Sequence, residues 1–405
     1  PPGVGLDYLA PDTGVLAQGQ VGTSFTKMAD DMFVQATLGI LIVGPEWAVA
    51  PRLPLRFLAV DQGERSSGLI RREDWDEPAD FARLIAFAQY GQLGSEVHVR
   101  FGELPGVTLG TGNIVRRYYN TLLRDHYQAG VYADLDFELA GGQLLLDNVF
   151  MPELVAARPF IRPLALITDL PLALRRLQLE AVVGADFQAP LSLKAAPQGI
   201  ARDRYGASRV AARRVVAMVS GALQVPVFSV EAFEAALYGE VSSVGLVGYG
   251  VHAGFELAAE FDALSRWSLR AEYRYVSGPY VTDYVRVNYE VERAVHRAGL
   301  TKLAWMDGIT TPSRHGLMVE STLKLVGVMD LELFWASREP VELGRWRHDL
   351  VLRLRLHRMG PVSFSAFAAS FDFSSIESLV EPTSALLVAN LKYNPVDFFY
   401  LRARL

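Results

Sequence analysis

The densest group of ionisable side chains lies between Ile70 and Phe81, IRREDWDEPADF, where Arg71 and Arg72 precede Glu73, Asp74, Asp76, Glu77 and Asp80. Carboxylates this close can supply the oxygen ligands of a Ca²⁺ site. The same residues also suit a solvated loop with internal ion pairs, or a loop that folds back and narrows a passage. No metal is assigned. A second group, Gly106 to Asn120, reads GVTLGTGNIVRRYYN. Gly110, Gly112 and Asn113 resemble a phosphate-binding loop only superficially, because that motif needs a helix after it and no helical period follows. The glycines are better read as permitting a tight fold-back. Arg71, Arg72, Asp74, Asp76, Arg116, Arg117, Tyr118 and Tyr119 are therefore the candidates for constriction loops. The 7 histidines are scattered. A nucleophilic centre needs a serine, a histidine and an orienting group within reach of one another, and no such pairing shows in the sequence. The expectation is no catalytic residue, no enzyme and no cofactor.

The elements that must carry these groups announce themselves by period. From His252 to Asp262 the odd positions are Ala253, Phe255, Leu257, Ala259 and Phe261, and the even ones include His252, Glu256, Glu260 and Asp262. The next segment alternates Trp267, Leu269, Ala271, Tyr273 and Tyr275 with Ser268, Arg270, Glu272 and Arg274. Strand side chains point to opposite faces at every second residue. Each segment thus has one apolar and one charged face. Many such segments, joined alternately by tight turns and long loops, predict an all-β transmembrane antiparallel barrel.

Composition leaves this reading open and closes others. No window reaches the roughly 18 apolar residues of a membrane-spanning helix, so a membrane would be crossed by strands. There are no cysteines, which excludes disulfides and thiolate chemistry, and the net charge of −6 argues against a nucleic-acid partner. Pro1-Pro2-Gly3 opens the chain without the pattern of a secretory signal; a signal is expected to have been removed before this point.

The predicted strands are 32–43, 46–60, 81–91, 96–104, 127–139, 143–150, 154–167, 172–187, 210–223, 227–240, 248–261, 266–277, 314–326, 329–336, 347–358, 362–373, 383–393 and 396–405, about eighteen, with sixteen as the alternative. Short breaks are expected at Ala140–Gly142, Thr168–Pro171, Gln224–Pro226 and Asn394-Pro395, among others. Residues 1–31 form an N-terminal segment, read as a first strand, a tail or a small lumenal insert, and 32–405 the barrel.

Arginine facing lipid at mid-depth costs roughly 2–4 kcal/mol in a barrel, so the charged face should be the inner one. The pore-lining candidates are Arg52, Arg56, His98, Arg100, Asp134, Asp136, Glu138, Arg158, Arg162, Glu256, Glu260, Arg270, Glu272, Arg274, Arg353 and Arg355. Charges of opposite sign lining a pore would set ion preference; paired with each other, they would close it.

Phe399, Leu401, Ala403 and Leu405 alternate along the last segment. With the strand pattern before it, this segment makes the chain resemble Gram-negative outer-membrane β-barrel proteins of the porin-like kind. It departs from their assembly signal in ending on leucine instead of an aromatic. The resemblance implies an outer-membrane location, a lipid environment and passive or weakly selective diffusion of ions or small polar solutes. The other reading is an occluded barrel within a larger envelope assembly, with periplasmic or surface protein partners. Oligomeric state is left open.

Overall fold

A computed structural model describes residues 15–28, 31–60, 70–71, 74–75, 78–121, 127–197, 199–202, 208–230, 232–261, 265–296, 299–310, 313–325, 327–339, 346–359, 362–375, 385–396 and 399–404. Nineteen strands form one large sheet. They are β1 (Leu16–Met28), β2 (Asp31–Val43), β3 (Trp47–Val60), β4 (Ile85–Tyr90), β5 (Val97–Gly102), β6 (Gly130–Asp136), β7 (Ala140–Leu146), β8 (Leu154–Ile161), β9 (Gln178–Leu193) and β10 (Val210–Val230). They continue as β11 (Phe233–Val244), β12 (Tyr249–Glu260), β13 (Arg266–Ser277), β14 (Ser313–Leu325), β15 (Met329–Arg338), β16 (Arg347–Met359), β17 (Val362–Phe373), β18 (Ala385–Val396) and β19 (Phe399–Arg404). Strands next to each other in sequence pair antiparallel, as in β1–β2, β12–β13 and β16–β17.

The chain divides into two compact units: Pro1–Pro159 with Ala181–Val219 and Thr282–Gly308, and Phe160–Glu180 with Ser220–Val281 and Ile309–Leu405. In the second unit the faces are plain. On β11 to β13, Leu237 (53% exposed), Val241, Val251, Phe255 and Tyr273 are outward, while Glu240 (3%), His252, Glu272 and Arg274 are buried. The register puts Leu237 opposite Phe255, and His252 opposite Glu240 on one side and Arg274 on the other. In the first unit β5 does the same, with exposed Val99 between buried His98 and Arg100. Apolar side chains face out and charged ones face in, the reverse of a water-soluble sheet.

The turns follow the expected asymmetry in part. The connections β2–β3, β4–β5, β6–β7, β10–β11, β12–β13, β14–β15, β16–β17 and β18–β19 are short, and 61–84, 103–129, 194–209 and 278–312 are long; β8–β9 departs from the alternation, because 162–177 is long where only a break at Thr168–Pro171 was expected, and β1–β2 and β11–β12 are short. Some expectations are corrected. The break placed at Ala140–Gly142 lies within β7, and the hairpin closes earlier, with Phe137 N donating to Ala140 O at 3.2 Å. Gln224–Pro226 is inside β10, because the flanking β-branched and aromatic residues carry the strand past the single ladder bond that Pro226 cannot donate. Asn394-Pro395 likewise falls within β18. Two predicted strands begin as helix. Pro78–Leu84 is a 3₁₀ helix, with proline preset for a first helical turn, and α1 (Leu172–Arg175) follows Pro171 with good helix formers. Residues 16–28 of the N-terminal segment form β1.

Candidate functional site

In the first unit two long connections fold together over the inner face. The 103–129 connection contains a small hairpin, Pro105–Val107 against Tyr118–Tyr119. Asn120 fastens its base. Its Oδ1 accepts from Leu104 N at 2.8 Å, and its Nδ2 is shared among the carbonyls of Gly102, Gln128 and Asp147 at 3.0–3.1 Å. Gly106 has a φ of +73°, and a Cβ there would meet the Tyr119 hydroxyl at 2.9 Å, so the fold-back requires glycine. Leu104, Leu109, Ile114, Val115 and Tyr118 are buried to 1% exposure or less.

The second connection docks on this hairpin by backbone and side chain. Asp283 N donates to Asn113 O, Val285 N to Ile114 O and Arg116 N to Val285 O, at 2.8–2.9 Å. Arg116 Nε donates to Asp283 Oδ1 at 3.0 Å, and Tyr118 donates to Glu290 Oε1 at 2.6 Å. Helix α2 (Tyr289–Glu292) then ties to the wall. Tyr289 donates to Asp186 Oδ2 at 2.5 Å, and Arg293 reaches Glu153 at 2.7 Å, Asp186 at 3.2 Å and the Gln188 carbonyl at 3.0 Å. Thr301 caps α3 (Lys302–Asp307), accepting from Ala304 N at 3.1 Å, and its hydroxyl donates to Leu191 O. Lys302, 1% exposed, donates to Glu292 at 2.8 Å and lies over the rings of Tyr284 and Tyr289.

The charges inside this block are mutually adjusted. Burial, with the Glu290 carboxylate nearby, lifts the Asp147 carboxyl to about 7. Glu290 is raised as well, chiefly by burial. Burial would raise Glu292 too, but Arg286 and Lys302 hold it well below the ordinary carboxylate range. Lys302 is brought down to about 8 by burial, against the pull of Glu292. Unpaired charges are costly in a dry interior; here Arg286 and Lys302 match Glu292, and Arg293 matches Asp186 and Glu153.

The 61–84 connection also folds back. Arg56 and Arg71 donate to Asp74 Oδ1 at 2.8 and 2.7 Å, Arg83 approaches it at 3.2 Å, and Arg83 pairs with Asp80 at 2.6 Å. Asp74 is 1% exposed. Arg52 pairs with Glu103 and donates to Arg83 O at 3.1 Å. Arg83 was not among the expected site residues, and only its position within the sequence of charges hinted at it. Arg72 and Asp76 lie outside the described residues.

The remaining expected residues are placed as follows. His98 faces Gly91 O at 3.2 Å, Arg100 donates to Glu103 O and to Gln89, and Asp134 accepts from Tyr132 and Gln143. Asp136 and Glu138 are exposed at the β6–β7 end, and Arg158 is half-buried on β8. Arg117 takes a positive φ of 52° within the hairpin, and Tyr119 is buried. In the second unit Arg162 stacks on Phe160 at 4.7 Å, and Glu260 is exposed. Arg353 pairs with Glu332 at 3.2 Å and Arg355 with Asp330 at 3.4 Å. Arg270 donates to Glu272 at 2.9 Å and Arg274 does so at 2.5 Å. Glu256 accepts from Gln224 at 3.1 Å.

No protein-family model matches the chain, and no curated protein sequence matches it. Solved structures of outer-membrane proteins do. The ferric enterobactin receptor PfeA of Pseudomonas aeruginosa is 11% identical, with 98% of this chain and 68% of that one covered and a TM-score of 0.38. OccK5 (OpdH) of Pseudomonas aeruginosa is 9% identical over 96% of this chain and 97% of that one, with a TM-score of 0.37. Wzi of Escherichia coli, described as a carbohydrate-binding β-barrel involved in group 1 capsule assembly, is 10% identical over 89% and 79%, with a TM-score of 0.36.

Proposed function

We propose that the chain is an outer-membrane β-barrel of the transport kind whose passage is shut at rest by its own inward-folded connections. The membrane part of this reading rests on the wall. Outward Leu237, Val241 and Phe255 beside inward Glu240, His252 and Glu272 suit a lipid exterior and a polar interior. The single observation that carries the closed state is the interlock of 103–129 with 282–308. Its buried side chains are paired, down to Arg293 against Glu153 and Asp186. Paired charges and filled space favour an occluded interior over an open diffusion pore. Transport then requires the two connections to move, and the long loops are where such a barrel meets its solute. The same pairing also supports the second reading, a closed barrel that serves as the membrane subunit of a larger assembly.

Single-channel conductance in a planar bilayer tests this. Folded wild-type protein should be silent or flicker briefly. A variant lacking 105–119 should give large, steady steps. Large steps from wild type would sink the closed state. Silence from both, in folded protein, would favour the assembly reading.

A further inference from the structure

The inner face of the second unit brings together a serine, a histidine and a carboxylate from three consecutive strands. Ser242 Oγ lies 3.1 Å from His252 Nε2, and His252 Nδ1 lies 3.4 Å from Glu272 Oε1. The three stand on consecutive strands, β11, β12 and β13, and all are at least 97% buried. His252 Nδ1 makes no hydrogen bond at rest, but the carboxylate 3.4 Å away favours the tautomer with its proton on that nitrogen, which leaves Nε2 to accept the Ser242 proton. This is the order of roles in a serine nucleophile, a general base and an orienting acid.

Glu272 is itself held in place. Arg274 donates to one oxygen at 2.5 Å, and Arg270 and Tyr238 donate to the other at 2.9 and 2.7 Å. Tyr280 OH sits 2.6 Å from Ser242 Oγ, where a hydroxyl can donate to an oxygen gaining negative charge beside it. Two glycines of β12 let these side chains pack against the strand. A Cβ on Gly250 would meet the Tyr280 ring at 2.4 Å and His252 Nε2 at 2.6 Å, and one on Gly254 would meet the Tyr238 hydroxyl at 2.4 Å.

One more group stands in the same cross-strand row. Ser242 is opposite Gly250, Gly250 opposite Val276, and Val276 opposite Arg314. Arg314 is 4% exposed; its Nη2 donates to the Gly278 and Tyr280 carbonyls, and its Nε has no partner. Among the described residues no carboxylate pairs with it. A buried guanidinium without a counter-ion favours an anion nearby.

We propose that Ser242, His252 and Glu272 form a serine-hydrolase centre acting on a small ester that carries an anionic group. Ser242 Oγ attacks the ester carbonyl carbon as its proton passes to His252 Nε2. The bond to the leaving alcohol breaks, and the proton returns to that alcohol. Water, deprotonated by His252, then cleaves the acyl-serine to a carboxylic acid and restores Ser242. Ser242 and His252 are the catalytic residues. Glu272 is a positioning residue, and Tyr280 both donates to the oxyanion and covers the serine at rest.

The test is labelling of the folded, full-length protein in detergent with a small fluorophosphonate, the adduct being located by mass spectrometry. Turnover of p-nitrophenyl succinate is measured against p-nitrophenyl acetate in parallel. The expected result is an adduct on Ser242, absent in Ser242→Ala and in His252→Asn. Tyr280→Phe, which keeps the ring but removes the donor, should lose about 100-fold in turnover. Arg314→Met should lose the preference for the succinate ester over the acetate ester. No Ser242 adduct in wild-type protein, with the same ester rate in Ser242→Ala, would overturn the proposal. Retained labelling in a folded His252→Asn variant would overturn the role of the histidine.

Discussion

At the scale of single residues, the first unit is governed by charges that have left water. Arg293 is the clearest case, because one guanidinium reaches Glu153, Asp186 and the Gln188 carbonyl. Removing it leaves buried carboxylates uncompensated, a change that typically costs about 3–5 kcal/mol. Arg293→Ala should therefore loosen 278–312, and proteolysis within that connection should speed up while the strands stay resistant. Unchanged cleavage would show that the backbone bonds to 113–116 suffice. Asp147 gives a pH dependence of definite sign. Its carboxyl is raised from 3.8 to about 7 in the folded protein, mainly by burial, so the fold binds its proton more tightly than the unfolded chain does. That contribution is complete below pH 4 and is lost as pH rises to about 7. Glu290 is raised too and acts in the same direction. Amide exchange in 278–312 should speed up between pH 4 and 7 in wild type, less so in Asp147→Asn, and least in Asp147→Asn with Glu290→Gln. Equal slopes in all three would remove Asp147 from the account.

At the scale of elements, the period-two pattern was enough to place strands, because an apolar outer face and a polar inner face force a strict alternation. The predicted span 266–277 coincides with β13, Arg266–Ser277, and 362–373 with β17. Errors came where a local rule competed with the pattern: Pro226 looked like a stop but is carried inside β10, and Pro78 and Pro171 start short helices instead of strands. The fold-back of 106–120 was legible in its glycines. Its partner was not, since the Arg116–Asp283 and Tyr118–Glu290 contacts join residues over 160 positions apart. His252 read as one more charged-face histidine, because the strand register that sets Ser242 and Glu272 on either side of it is not fixed by the alternation alone. The alternation also makes a prediction. Phe255→Arg places a charge on the outward face of β12 and should cost about 2–4 kcal/mol if that face meets lipid near mid-depth. Glu256→Gln, one residue on and facing inward, should cost less than about 1 kcal/mol. Urea titration of protein folded into vesicles measures both, and equal costs would contradict a lipid-facing wall.

At the scale of the whole molecule, the sheet is a meander in which each strand is hydrogen-bonded to its sequence neighbours, so its stability is shared along many ladders. A barrel is such a sheet with no free edge, and closure is what makes every backbone group satisfied in hydrocarbon. A closed sheet has no cheap first step of unfolding, because peeling any strand breaks two ladders at once. The folded form should therefore survive SDS at room temperature and give way only on heating. Run unheated on an SDS gel, the protein should migrate ahead of a boiled sample, as a compact particle does. Intermediate temperatures should show the two bands exchanging, without a ladder of partly opened forms. Asp147→Asn and Arg293→Ala should leave that exchange nearly in place, since they act on connections rather than on the wall, whereas Phe255→Arg should lower the temperature at which it occurs. One band at the same position before and after boiling, from protein shown by circular dichroism to be rich in strand, would mean an open sheet and would end the barrel reading together with the transport function built on it.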